Sequence, residues 1–215
     1  MKVSEAGKRR RSRDEALWKL VREQHGVITR SQLLELGIGR EAVAWRLRSG
    51  RLHAVQRGVY AVGRPSLSRH GQWAAVVMSC GPHAALSHRS AAALYEIVDP
   101  PVPAEVTVPL QVLREAGRPR VSAPALGRRV RDSCGIRVTT VVRTLLDLAQ
   151  VVTAKRLVAS INAADKHDLV DPETLRSALD RYAGRRGLRG SSWSSPPTRG
   201  ARSRDLHPHR LAARA

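Results

Sequence analysis

Phenylalanine is absent from this chain, and Trp and Tyr together supply only 3% of its residues. A core without rings must be built from Leu, Val, Ile and Ala, each of which buries less area than an aromatic side chain. Cysteine is almost as scarce. Cys80 and Cys134 are the two present, which excludes a disulfide framework and fits a reducing compartment. No apolar run approaches the ~18 residues that suggest a transmembrane helix. The basic N-terminus has no apolar stretch behind it, so a secretory signal is not expected either. A Gly-rich phosphate loop is also missing. Gly37-Ile38-Gly39 has the glycines but not the following Lys-Ser/Thr, and fits better as a turn between helices. The chain is expected to be cytoplasmic, with no membrane association.

Positive charge, by contrast, is abundant. The formal net charge over 215 residues is +20, carried mostly by arginine. Such a chain attracts polyanions, nucleic acid first, although a GC-rich genome also inflates Arg, Ala and Gly. Location matters more than the total. Lys2, Lys8, Arg9, Arg10, Arg11 and Arg13 against Glu5 give residues 1–13 a net +5. Eight arginines against Asp205 give residues 184–215 a net +7, so residues 14–183 carry only +8.

Residues 1–12 read as a disordered basic arm. Ser12-x-x-Glu15 has the form of a capping box opening a helix that carries Leu17, Leu20 and Val21 and ends at Gly26. Val27-Ile28 is a short extended pair. Thr29-x-x-Gln32 is a second capping box, and Gly37 stands where a left-handed residue closes a helix. Gly39 caps a third helix over residues 40–49, in which Val43 and Leu47 share one face while Glu41, Trp45 and Arg48 lie nearer the other. Two strands then flank a turn at Gln56-Arg57-Gly58. Further on, the patterning predicts helices over 67–80, from Ser87 to about Ile97, after Thr140, over about 153–164, and from Asp171-Pro172 to about Tyr182. It predicts strands at 84–86, 105–110, 128–131 and 136–139, with a Gly-, Pro- and Arg-rich loop at 114–127. The Ser-, Pro-, Arg- and Gly-rich stretch after Gly184 reads as disordered.

Three helices, two glycine-bearing turns and a two-stranded ribbon, in that order, predict a winged helix-turn-helix. In that architecture the second helix braces the third, which enters the major groove of DNA. Residues 40–57 carry Arg40, Arg46, Arg48, Arg51 and Arg57 against Glu41, a net +4. Arg40, Glu41, Ala44 and Trp45 fall in the first turns of the third helix and are candidates for base contact, with Trp45 alternatively a partial core residue. Arg46, Arg48, Arg51 and Arg57 complete the candidate DNA-binding set, the last three being better placed for phosphate. The fold class is therefore α+β. A winged helix-turn-helix over 13–64 is followed by a mixed α/β domain over 65–183 and a disordered basic tail over 184–215.

Residues 15–62 resemble the N-terminal domain of AbiEi-type antitoxins of abortive-infection (type IV) toxin–antitoxin systems. The resemblance rests on Gly26-Val27-Ile28-Thr29, on Arg46-Leu47-Arg48-Ser49-Gly50-Arg51-Leu52 and on Arg57-Gly58-Val59-Tyr60-Ala61-Val62. It extends through the middle region in Ala85-Leu86-Ser87-His88-Arg89-Ser90-Ala91-Ala92-Ala93-Leu94 and in Val138-Thr139-Thr140 with Arg143-Thr144-Leu145-Leu146-Asp147-Leu148-Ala149, so that it covers about residues 15–183. It implies a non-enzymatic, double-stranded-DNA-binding antitoxin or repressor acting on its own promoter. It also implies a functional link to a nucleotidyltransferase-like toxin without a stable complex. Relatives often carry a C-terminal domain similar to very-short-patch-repair endonucleases. After residue 184 this chain offers only a basic stretch with Asp205 as its sole acid, so no nuclease activity is expected, and the tail reads as truncated or out-of-frame sequence. Other readings are a non-functional remnant of a winged-helix–endonuclease protein and an RNA- or protein-binding module that uses the basic tails.

Other constellations carry less. Cys80-x-x-His83-x4-His88 has a spacing that metals use but no evident fourth ligand beyond Cys134. His83 and His88 are expected as surface or capping residues. Ser87 and His88 are neighbours in sequence, which does not supply catalytic geometry, and Ser87 is expected as a helix cap. Asp147, Asp165 and Asp168 are expected on solvated helix faces. No catalytic residue, metal or cofactor is assigned.

Overall fold

The structure is a computed structural model that describes residues 5–101, 103–109, 121–123 and 130–182. It is α+β, as expected, with a winged helix-turn-helix at the N-terminus. Helix α1 (Glu5–Glu23) leads to strand β1 (Val27–Thr29), helices α2 (Arg30–Glu35) and α3 (Arg40–Arg48), and the ribbon β2 (Leu52–Gln56) and β3 (Val59–Val62). The three strands form an antiparallel sheet in the order β1-β3-β2, with Ile28 opposite Tyr60 and Leu52 opposite Val62. Because successive strand residues point to opposite faces, this sheet serves two cores. Ile28, Tyr60 and Leu52 pack with Leu17, Val21, Leu33 and Val43 of the three helices and with Ile38 of the turn between α2 and α3. Val27 and Val59 point the other way, into a second core.

That second core belongs to the middle region. Helix α4 (Arg69–Ser79) lies against β1, β2 and β3, and its Trp73, Ala74 and Val77 cover the far face of the wing sheet. A mixed five-stranded sheet follows. It is built from β4 (Ala85–Leu86), β5 (Val106–Pro109), β6 (Val121–Ala123), β7 (Val130–Ser133) and β8 (Ile136–Thr139), in the order β6-β5-β4-β8-β7. Helices α5 (His88–Leu94), α6 (Val141–Leu148), α7 (Ala154–Lys166) and α8 (Pro172–Tyr182) complete it, with α6 packed against the other three. Leu86, Val138, Leu145 and Leu148 are fully or almost fully buried at its centre. Each such side chain contributes about 1.5–3 kcal/mol by leaving water.

The joint between the two regions is tight. His25 and Gly26 turn the chain out of α1 with positive φ of 55° and 92°. His25 Nε2 meets the Cys134 carbonyl in the β7–β8 turn, and the His25 carbonyl lies against Gly71 of α4, where a Cβ would sit 2.7 Å from that oxygen. His25 and His70 rings lie 5.2 Å apart, and His70 meets Trp73 edge-on.

Several local expectations need correction. Helix α1 starts at Glu5, so residues 5–12, expected within a disordered arm, are helical and Ser12-x-x-Glu15 is not a capping box. Lys, Arg, Ala and Glu are strong helix formers, and a single Ser in a helix interior costs little. Strand β6 lies inside the segment expected as a loop. Val121, Ser122 and Ala123 pair in parallel with Thr107, Val108 and Pro109, a long-range partnership that overrides local composition. The expected disordered tail lies outside the described residues.

Candidate nucleic-acid interface

The α2–α3 turn follows from its sequence. Thr29 Oγ1 accepts from the Gln32 N–H at 3.2 Å while Gln32 Oε1 accepts from the Thr29 N–H at 3.0 Å, which forms the expected capping box. Gly37 takes the left-handed conformation at φ +74°, and Ile38, buried at 1% exposure, donates its N–H to the Leu33 carbonyl. Gly39 is the N-cap of α3 and accepts from the Val43 N–H at 3.0 Å. Val43 is buried against the first core, with Ala42 and Leu47 packed partly against it. This clamps one side of α3 and fixes the direction of the other.

The clamped side decides where each candidate goes. Arg40, Ala44 and Arg48 recur at four-residue spacing, with Glu41 and Trp45 beside them on the same outward arc. Arg40, Glu41, Trp45 and Arg48 are exposed and Ala44 is half-buried. Trp45 keeps 46% of its surface in solvent, so it is not a core residue. The Arg51 guanidinium stacks over its ring at 4.8 Å, a cation–π contact that holds both groups at the edge of the helix. Arg57 is exposed at the tip of the wing, where Gly58 turns at φ +72°. The Gly58 carbonyl accepts from the Arg30 N–H at 2.8 Å, which ties the wing tip to the start of α2. Arg46 departs from the group. It is half-buried, and its guanidinium donates to the Ala42 carbonyl one turn back at 3.2 Å. Arg30, which the sequence reading passed over, is exposed beside the wing tip. Its position after the Thr29 cap was the one local signal available.

The other constellations behave differently. Ser87 stands at the N-cap of α5 but makes no side-chain capping bond; its hydroxyl pairs instead with His88 Nδ1 at 3.0 Å. Ser87 is fully buried and His88 is also buried, at a positive φ of 49°, so His88 is not the surface residue expected. Burial of the Ala-rich face of α5 carries both inward. Among the described residues no three His, Cys, Asp or Glu side chains come together as a metal site. Asp147 is not on a solvated face. It is 2% exposed and paired with Arg143 at 2.8 Å, because α6 is enclosed by its neighbouring helices. Tyr95, whose burial raises its pKa against the opposing pull of Arg131, donates to the Thr139 carbonyl at 2.7 Å. Buried Thr107 Oγ1, Arg143 Nε and Asp147 Oδ2 find no hydrogen-bond partner among the described residues.

Among the described residues no helix is long and apolar enough to cross a membrane. No curated protein matches the chain. The three helices, the clamped turn and the wing coincide with a match to one protein family, described as a transcriptional regulator, AbiEi antitoxin, over residues 15–63. Over residues 15–63, less than a quarter of its length, this chain is therefore similar to the AbiEi antitoxin family of transcriptional regulators.

Proposed function

We propose that this protein is a sequence-specific, DNA-binding transcriptional regulator, a non-enzymatic cytoplasmic autorepressor of the AbiEi type that acts on its own promoter. In this reading 13–64 is the DNA-binding unit and 65–183 the domain that braces it. The observation that carries it is the outward arc of α3. Arg40, Glu41, Ala44, Trp45 and Arg48 share one face and are flanked by Arg51 and Arg57 of the wing region. The buried anchors Ile38 and Val43 leave α3 little freedom to rotate, so the arc is preorganised before any partner arrives.

Inserted in a major groove, the first turns of α3 meet base edges. Arg40 suits guanine O6 and N7, and the exposed Trp45 ring suits an apolar contact with a thymine methyl. Arg48, Arg51 and Arg57 meet phosphates on either side and set register. Arg46, held on the Ala42 carbonyl, acts by positioning the helix end. A nucleotidyltransferase-like toxin remains a functional rather than a structural partner.

The test is binding of the full chain to a labelled duplex from immediately upstream of its gene, against duplexes of scrambled sequence and against duplex RNA. The reading expects the upstream duplex to bind at least 1,000-fold tighter than scrambled DNA, roughly the lower end for specific regulators. Equal affinity for all DNA, or preference for RNA, overturns it.

A further inference from the structure

The outer face of α1 is not used by either core. Leu17 and Val21 point into the first core, while Arg11, Asp14, Glu15, Trp18 and Arg22 line a shallow groove of about 360 Å³ on the other side. Their spacing, 11, 14/15, 18 and 22, is that of one helix stripe. At its centre Trp18 leaves 48% of its surface in solvent, in a protein with only four tryptophans. A tryptophan ring framed by charges is the kind of anchor on which binding surfaces centre.

The charge pattern selects the partner. Within a chain of net charge +20, this stripe is neutral: Arg11 and Arg22 are balanced by Asp14 and Glu15. Two carboxylates in the groove repel phosphate, so nucleic acid is the wrong occupant. The pattern is instead self-complementary. A two-fold axis through Trp18, relating two antiparallel copies of α1, brings residue 14 opposite residue 22 of the other copy. Asp14 then faces the partner copy's arginine at position 22, the reverse contact repeats by symmetry, and the two indoles meet on the axis. Isologous two-fold contacts require this kind of self-matching surface.

We infer that the outer face of α1 is an antiparallel homodimer interface centred on Trp18. One helix pair buries less than the ~1,600 Å² of a standard stable complex, so the dimer is expected to be weak and concentration-dependent in free solution. Two copies related this way would carry two copies of α3, matching operators with inverted half-sites.

The experiment is sedimentation equilibrium of the full chain over a concentration series, without DNA, so its result is independent of the DNA-binding proposal. Wild-type protein is expected to move from one-chain to two-chain mass as concentration rises. Arg22→Glu, an exposed substitution, places two like-charge pairs in each dimer and is expected to weaken association about tenfold or more. Trp18→Ala is expected to weaken it as well. Asp14→Arg combined with Arg22→Glu swaps the charges and is expected to restore dimerisation, which a merely destabilised variant would not do. Circular dichroism confirms that each variant is folded. A one-chain mass at every concentration overturns the inference, and so does a dimer indifferent to Trp18→Ala and Arg22→Glu.

Discussion

The wing region and the middle region treat their charged groups in opposite ways. Along α3 and the ribbon, Arg40, Arg48, Arg51 and Arg57 are exposed on a rigid frame. In the middle region, Arg143 is held by the buried Asp147, Arg89 donates from both Nε and Nη2 to Glu105 Oε1, and Arg131 stacks on and donates to Tyr95. Charge committed internally stabilises a fold, while charge held outward by apolar anchors is available to a partner. Arg46 and Arg48, two residues apart on α3, fall on opposite sides of that divide.

The comparison is sharpest where an internal pair is broken. Asp147→Ala leaves the Arg143 guanidinium without its partner in a mostly buried site, and a loss of about 3–5 kcal/mol is expected in urea unfolding. DNA affinity of the folded fraction should hold, because nothing in α3 or the wing touches Asp147; a stability loss below 1 kcal/mol would mean that the pair does not brace α6. Next comes the joint. Gly71→Ala places a Cβ against the His25 carbonyl and is expected to cost about 1–3 kcal/mol. It should also loosen α1 against α4, read as faster hydrogen exchange in the turn at residues 24–27. Protection unchanged there would show that the two regions are not coupled through this contact.

A smaller effect concerns pH. Burial, then the neighbouring positive charges of His25 and Arg69, depress the pKa of His70 below its usual 6.5, with Glu96 opposing them weakly. The fold therefore favours neutral His70. The stability this contributes is present above about pH 6.5 and is lost as pH falls through the lower folded value. Unfolding midpoints are expected to drop between pH 7 and pH 5, and His70→Gln should flatten that slope. An unchanged slope in the variant would assign the acid sensitivity to other groups.

What was legible in the sequence was local. The Thr29–Gln32 capping box, Gly37, Gly39 and the Gly58 turn each act within a few residues, and together they define the order of α2, α3 and the ribbon. The outward set on α3 was also legible, since Val43 and Leu47 identify the buried side. The sequence shows the charge of Arg46 but not that its guanidinium reaches the Ala42 carbonyl four residues back. Long-range effects were not legible. The pairing of Val121 with Thr107 turned part of a Pro- and Gly-rich segment into a strand. Enclosure of α6 buried Asp147, and α4 closing over β1 and β3 made the wing sheet two-faced. None of these partners lies close in sequence.

The most direct test of the central claim is the salt dependence of binding to the upstream duplex, measured for wild type and for Arg46→Ala, Arg48→Ala and Arg57→Ala. Each phosphate contact removed should reduce the log–log salt slope by about 0.9. Arg48→Ala and Arg57→Ala are expected to lower it by that amount each, with weaker binding at every salt concentration, while Arg46→Ala leaves it near the wild-type value. Equal slopes for all four proteins would place the DNA contact somewhere other than the outward face of α3 and its wing.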